Sequence, residues 1–301
     1  MKSRVFIPAV LIFSLAIGFL AGAIFTNFSE PATPLGSPPA KTPKRASVDI
    51  PIELPLLIAH AGGAIGELTY TNSLEAMNAS VAKGFKVIEL DFMRAKNGDL
   101  VLLHRKPTDA MQGRPITDEE LPNSAEEFVK TTMVGGLTPM SLITVLDWMS
   151  QNPDVYIVTD IKKDSTEGLR EIKNLSTDGG DRFIAQIYHP DQYDEVKALG
   201  FDNIILTVFR LGKPLAISVE ELGDFCREKD LFALTMPDSW FADDTFHRLG
   251  KIDTPLFLHT TNGYKTAKGY FSAGVKGLYT DFITPRWVED NRQDFEKQTE
   301  E

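Results

Sequence analysis

The sequence predicts a (β/α)8 TIM barrel with an N-terminal transmembrane helix, and three observations carry that expectation. From Leu56 onward, short runs of β-branched and large apolar residues alternate with segments of helical period, the pattern of parallel strands joined by crossover helices. The stretch from 56 to 290 has the size, roughly 250 residues, at which such barrels form one domain. Ahead of it, the run from Val5 to Phe25 carries no charge and matches the about twenty apolar residues that cross a bilayer.

In chain order, residues 1–28 read as the anchor. Lys2 and Arg4 flank the apolar run, which predicts an N-terminus in the cytoplasm and the barrel outside the cytoplasmic membrane, periplasmic in a bacterial envelope. Ala21-Gly22-Ala23 also fits a small-residue cleavage site, so a cleaved signal peptide and secretion form the alternative. Residues 29–55, rich in proline with Ser, Thr and Lys, read as an extended linker. Strand candidates follow at Leu56 to His60, Lys86 to Asp91, Leu100 to His104, Val155 to Lys162, Phe183 to Tyr188, Asn203 to Phe209, Leu231 to Thr235, Pro255 to Thr260 and Gly277 to Thr280. That is one more than a barrel needs. The Asn97-Gly98 turn makes the second and third the ambiguous pair, one of them a hairpin arm. Helices are expected between most strands, at Ser73 to Lys83, Ser141 to Ser150, Asp191 to Leu199, Val219 to Lys229 and Tyr264 to Ala273. Lys106 to Thr138 fits neither period and reads as an insertion over one end of the barrel, a cover or decoration. Residues 291–301 read as a polar tail.

Composition narrows the function. A net charge of −11 argues against a nucleic-acid surface, because nothing would neutralise a run of phosphates. Cys226 is the only cysteine, which excludes an intramolecular disulfide framework and thiolate metal sites, and its helical context marks it as a buried, inert thiol.

Parity along the strands locates the candidate chemistry. In Val87-Ile88-Glu89-Leu90-Asp91-Phe92 the apolar Ile88, Leu90 and Phe92 share one face, so Glu89 and Asp91 share the other and point into the barrel. Two like charges there require a cation or hydrogen-bond donors, either a divalent metal or ordinary ion pairs. Other strand candidates also end in ionisable groups, at His60, His104 and Asp160, with Lys162 on the face of Asp160. Barrel enzymes assemble their sites at the C-terminal ends of strands, so these groups should converge. A hard cation on three carboxylates, two imidazoles as base and acid, and a lysine on the phosphate together suit phosphodiester cleavage.

His60-Ala61-Gly62-Gly63, Asn72-Ser73 opening a helix, Glu89-Leu90-Asp91, the run from Asn97 to His104, Asp160-Ile161-Lys162, the run from Phe257 to Asn262 and the ending from Gly274 to Asp281 resemble the glycerophosphodiester phosphodiesterase family. The resemblance runs from about Leu56 to Phe282. It implies His60 and His104 as the acid/base pair, Glu89, Asp91 and Asp160 as ligands of Ca²⁺ or Mg²⁺, and hydrolysis of a phosphodiester to an alcohol and glycerol 3-phosphate. Three positions depart from the family pattern: Ala61 for an arginine, Thr71 for a glutamate, and Asp160 for a longer glutamate. Arg94, Arg105 and Lys162 are candidates to replace the missing guanidinium. His259 and Trp240 are candidate pocket residues, the first also readable as a structural histidine and the second as core. A glycerophosphodiester or lysophospholipid is the expected substrate. A lyase releasing a cyclic phosphate and a binding or envelope protein are the alternatives.

Overall fold

The computed structural model describes residues 53–54, 56–104, 117–212, 215, 217–242 and 244–296. Strands buried on both faces need near-continuous Val, Ile and Leu, and the chain supplies such runs at regular intervals. The order is β1 (Leu56–Ala59), α1 (Leu74–Ala82), β2 (Val87–Arg94), β3 (Leu100–Leu102), α2 (Ala125–Phe128), α3 (Leu142–Gln151), β4 (Tyr156–Ile161), α4 (Ser165–Leu175), β5 (Phe183–Ile187), α5 (Tyr193–Ala198), β6 (Ile204–Thr207), α6 (Val219–Glu228), β7 (Ala233–Pro237), α7 (Asp244–Leu249), β8 (Leu256–His259), α8 (Tyr264–Ser272), β9 (Gly277–Thr280) and α9 (Pro285–Glu296). Eight strands pair in parallel in the order β1, β9, β8, β7, β6, β5, β4, β2, and β1 on β2 closes the barrel. β3 runs antiparallel to β2, with Phe92 opposite Leu102, so the third strand candidate is the hairpin arm.

The parity argument holds along β2. Ile88, Leu90 and Phe92 pack outward with the helices, in one cluster with Leu142, Val145 and Leu169. Val87 joins Ile58, Val158, Ile184, Ile205 and Phe257 in a fully buried apolar plug at the N-terminal end of the barrel interior. Above the plug the inward positions become polar, which is where a site belongs in this fold. The plug has one tight seam. Gly277 lies beside Phe257, and a Cβ at 277 would stand 2.5 Å from that ring. Gly277→Ala is therefore expected to destabilise the barrel by about 1–3 kcal/mol through overpacking, read as a lower thermal midpoint with no new ligand-binding defect.

Several helices extend the expected set. α4 buries Gly168, Leu169 and Ile172 on one face, and α7 is a short helix between β7 and β8. α9 crosses the boundary drawn at residue 290. Its Phe295 is buried against Phe271 and Trp287, so packing holds as helix part of what composition alone marks as a tail. Cys226 is buried, and burial pushes its thiol up to about 11, in line with an inert role. Among the described residues no helix is long and apolar enough to cross a membrane. The segment read as an anchor, nearly all of the linker and Arg105 lie outside the described residues.

Candidate active site

The site is built on the turn that leaves β1. His60 continues the strand's inward parity, and the chain then reverses through Ala61 in a left-handed conformation (φ 48°, ψ 41°). That turn aims the Ala61 backbone N–H at Glu89 Oε2, 2.7 Å away. Gly63 follows with φ +91°, and a Cβ there would meet Ser80 Oγ at 2.2 Å, so only glycine fits. Two more non-glycine residues at positive φ, Tyr70 and Asn72, flank the same place, a concentration of backbone strain of the kind found at functional sites. Asn72 is fully buried. Its Oδ1 accepts from the Asp91 N–H at 2.9 Å and its Nδ2 donates to Asp91 Oδ2 at 3.0 Å, which fixes that carboxylate.

Register brings the third acid alongside, because Asp91 on β2 pairs directly with Asp160 on β4. Ligand oxygens of Glu89, Asp91 and Asp160 lie within 4.8 Å of one another. Lys162 donates to Asp91 Oδ1 and Asp160 Oδ2, both at 2.5 Å, and the Tyr188 hydroxyl donates to Asp160 Oδ1. The charges are unevenly compensated. Burial weighs against the Asp91 anion, but the Lys162 ammonium and the neighbouring histidines outweigh it and hold the carboxyl at about 2. Glu89 is pushed up to about 8, first by burial and then by the Asp91 charge. Lys162 goes the other way from an ordinary buried amine. Burial opposes its charge, but Asp91, Asp160 and Glu89 raise its pKa.

The two histidines sit on either side of one aromatic ring. Tyr70 meets His60 edge-on at 4.5 Å between centroids and His104 at 4.8 Å. The Tyr70 hydroxyl is pushed up to about 12 by burial and by the Asp281 and Asp91 charges, so it stays protonated at neutral pH. His60 Nδ1 lies 3.0 Å from Asp281 Oδ1. A nitrogen facing a carboxylate carries the proton, which leaves Nε2 with the lone pair. Burial lowers the basicity of His60, but the Asp281 hydrogen bond and the charges of Glu89, Asp281 and Asp91 raise it more, and the net shift is upward. Asp281 is itself oriented by Asn262, which donates to Oδ2 at 2.7 Å and accepts from the Asp281 N–H at 2.8 Å.

These groups open into one cavity of about 1080 Å³ at the C-terminal ends of the strands. His60, His104, Glu89, Asp91, Asp160, Lys162 and His259 all line it, together with Asp118 and Leu121 from the stretch read as an insertion. His259 Nδ1 lies 3.0 Å from Thr235 Oγ1. Trp240 is a correction. It is buried in the main core, and Phe209, two residues beyond the end of β6, supplies the exposed aromatic ring of the cavity instead.

No family model matches the chain, and no curated protein matches it. Solved structures do. A glycerophosphodiester phosphodiesterase from Thermotoga maritima superposes with a TM-score of 0.57 at 19% identity, over 75% of this chain and 94% of the other. One from Parabacteroides distasonis gives 0.57 at 16%, over 81% and 98%. A phosphodiesterase from Oleispira antarctica, in complex with the product sn-glycerol-3-phosphate, gives 0.56 at 16%, over 82% and 98%. The chain has the fold of the glycerophosphodiester phosphodiesterases. At such identities the likeness fixes the architecture, and the chemistry has to be argued from the side chains.

Within that fold the carboxylate cluster fits a hard divalent cation. Its ligands are oxygens alone, and burial together with the Asp91 charge raises Glu89 even with Lys162 in place. The departures at 61 and 71 have structural uses. Ala61 has no exposed surface and holds Glu89 through its backbone, while Thr71 Oγ1 lies 3.0 Å from Ser73 Oγ, which caps α1. Strand-end reasoning applied evenly would have found Asp281 after β9 and Tyr188 after β5. Nothing in the sequence pattern marks Tyr70, which acts from a loop.

Proposed function

We propose that this protein is a divalent-metal-dependent phosphodiesterase that cleaves glycerophosphodiesters to an alcohol and glycerol 3-phosphate. The observation that carries the reading is the joint arrangement of an oxygen-only carboxylate cluster and two histidines flanking Tyr70 in one cavity. The product held by the Oleispira antarctica phosphodiesterase supports a small phosphorylated glycerol as the matching ligand class.

Glu89, Asp91 and Asp160 would hold Ca²⁺ or Mg²⁺, which when bound supplies electrostatic stabilisation of phosphoryl charge. His60, with its Nδ1 proton held by Asp281, offers Nε2 as the base that takes a proton from the attacking hydroxyl. His104 delivers a proton to the leaving alkoxide. The half-buried ring of Tyr70, in contact with both imidazoles, keeps them apart, so that each serves one oxygen. The apolar run from Val5 to Phe25 supports placing this activity outside the cytoplasmic membrane, near lipid-derived diesters such as lysophospholipids.

The expected result is hydrolysis of bis(p-nitrophenyl) phosphate or glycerophosphocholine that stops in EDTA and returns with Ca²⁺ or Mg²⁺. Folded protein inert toward both, with either metal, would sink the reading. Phosphorus NMR of the products separates hydrolysis from release of a stable cyclic phosphate.

A further inference from the structure

Position 61 cannot supply a cation, because its methyl group is buried and its backbone is committed to Glu89. A phosphate in the cavity must therefore meet positive charge from elsewhere on the wall. Among the described residues four cationic side chains line that wall: Arg94, Lys162, Lys163 and Arg210. Arg94 is tied down through Nη1, which donates to the Gly98 carbonyl at 2.6 Å and to Glu171 Oε2 at 3.0 Å, and its Nη2, though without a partner, is buried away from the cavity's solvent. Lys162 is committed to Asp91 and Asp160. Lys163 is an exposed amine at the rim.

Arg210 is exposed as Lys163 is, but an aromatic ring holds it in place. Its guanidinium lies 3.9 Å over the centre of the Tyr188 ring, whose hydroxyl donates to Asp160. The cation thus stands one tyrosine ring away from the carboxylate cluster. Stacking uses the face of a guanidinium and leaves its N–H groups along the edge. Among the described residues no carboxylate pairs with it, and its one hydrogen bond is a long 3.4 Å contact from Nη2 to the Lys162 carbonyl. A planar donor edge, oriented by an aromatic ring and not neutralised, suits two oxygens of one phosphoryl group.

We propose that Arg210 is the phosphate-binding residue of this cavity, its guanidinium taking non-bridging phosphoryl oxygens from the β5 and β6 side. The assignment rests on reading the cavity as a phosphodiester site, and it names the specificity determinant that replaces an arginine at position 61. Phe209, 57% exposed beside it, gives the ligand's carbon skeleton an apolar flank.

The test is calorimetric titration of the full chain with sn-glycerol 3-phosphate in Ca²⁺- or Mg²⁺-containing buffer, independent of turnover. Arg210→Ala is expected to weaken Kd by about tenfold or more, as loss of a charge-assisted hydrogen bond does. Arg210→Lys should fail to restore it, and Lys163→Ala should stay within about twofold. The assignment is overturned by an Arg210→Ala Kd within about twofold of the parent, by full rescue with lysine, by an equal loss in Lys163→Ala, or by a parent protein that binds neither this ligand nor inorganic phosphate. If the ligand binds through Arg210 while no diester is hydrolysed, the phosphodiesterase reading fails and the phosphate site stands.

Discussion

His60→Ala is expected to lower kcat by about 10²- to 10⁴-fold with KM nearly unchanged, the range lost when a positioned acid or base is removed. The split follows from what His60 touches. It bonds Asp281 and packs on Tyr70, and neither contact holds a ground-state phosphate. Asp281 acts through His60 and should leave a different signature. Its carboxylate raises the imidazole pKa, so in the parent the base loses its proton only at a raised pH. Asp281→Asn removes that charge, lowers the His60 pKa, and should move the acid limb of the kcat/KM profile to lower pH while reducing the plateau. A purely structural role for Asp281 would reduce the plateau and leave the limb in place. Metal-dependent turnover that survives His60→Ala at the parent rate would remove His60 from the mechanism.

What was legible in the sequence followed from periodicity. A strand alternates faces, so Glu89 and Asp91 were fixed inward by the apolar residues between them, and Asp160 joined them through the β2 and β4 register. The hairpin arm was legible because Asn97-Gly98 is a turn signal with a conformational reason, Gly98 taking φ +99°. What escaped has a common cause. Tyr70 projects from a loop in left-handed backbone, where no period predicts direction. The His60 and Asp281 pair joins β1 to the end of β9 across 221 residues, a contact created only by barrel closure. Trp240 and Phe209 show the same limit from the other side. Both are aromatics just past a strand end, and packing alone sends the first to the core and the second into the cavity.

The carboxylate cluster should make the stability of the metal-free protein fall as pH rises. Glu89 has an ordinary value near 4.5 and is held at about 8 in the folded protein by burial and the Asp91 charge. Below about 4.5 both folded and unfolded chains keep its proton; between there and about 8 only the folded chain does, so stability drains by at most about 1.4 kcal/mol per pH unit. His60, also raised, loses its contribution in the same direction above its ordinary value of 6.5. Asp91 works oppositely but in another window, because its stabilisation is present above 3.8 and is lost only as pH falls toward about 2. A cation on the cluster favours the ionised Glu89. At about a hundred times its Kd it adds roughly 2.7 kcal/mol to the folded state, or about 5 to 10 °C for a domain of this size. Thermal melts in EDTA are thus expected to drop from about pH 6 to about pH 9, and Ca²⁺ or Mg²⁺ should restore the midpoint most at the alkaline end. Glu89→Gln keeps the shape and removes the ionisation. It should flatten the alkaline decline, raise the metal-free midpoint at about pH 9, and abolish both the metal-dependent gain and phosphodiester turnover. A midpoint that ignores pH and metal alike, in the parent as in Glu89→Gln, would mean that the three carboxylates are neutralised by Lys162 and their hydrogen bonds alone.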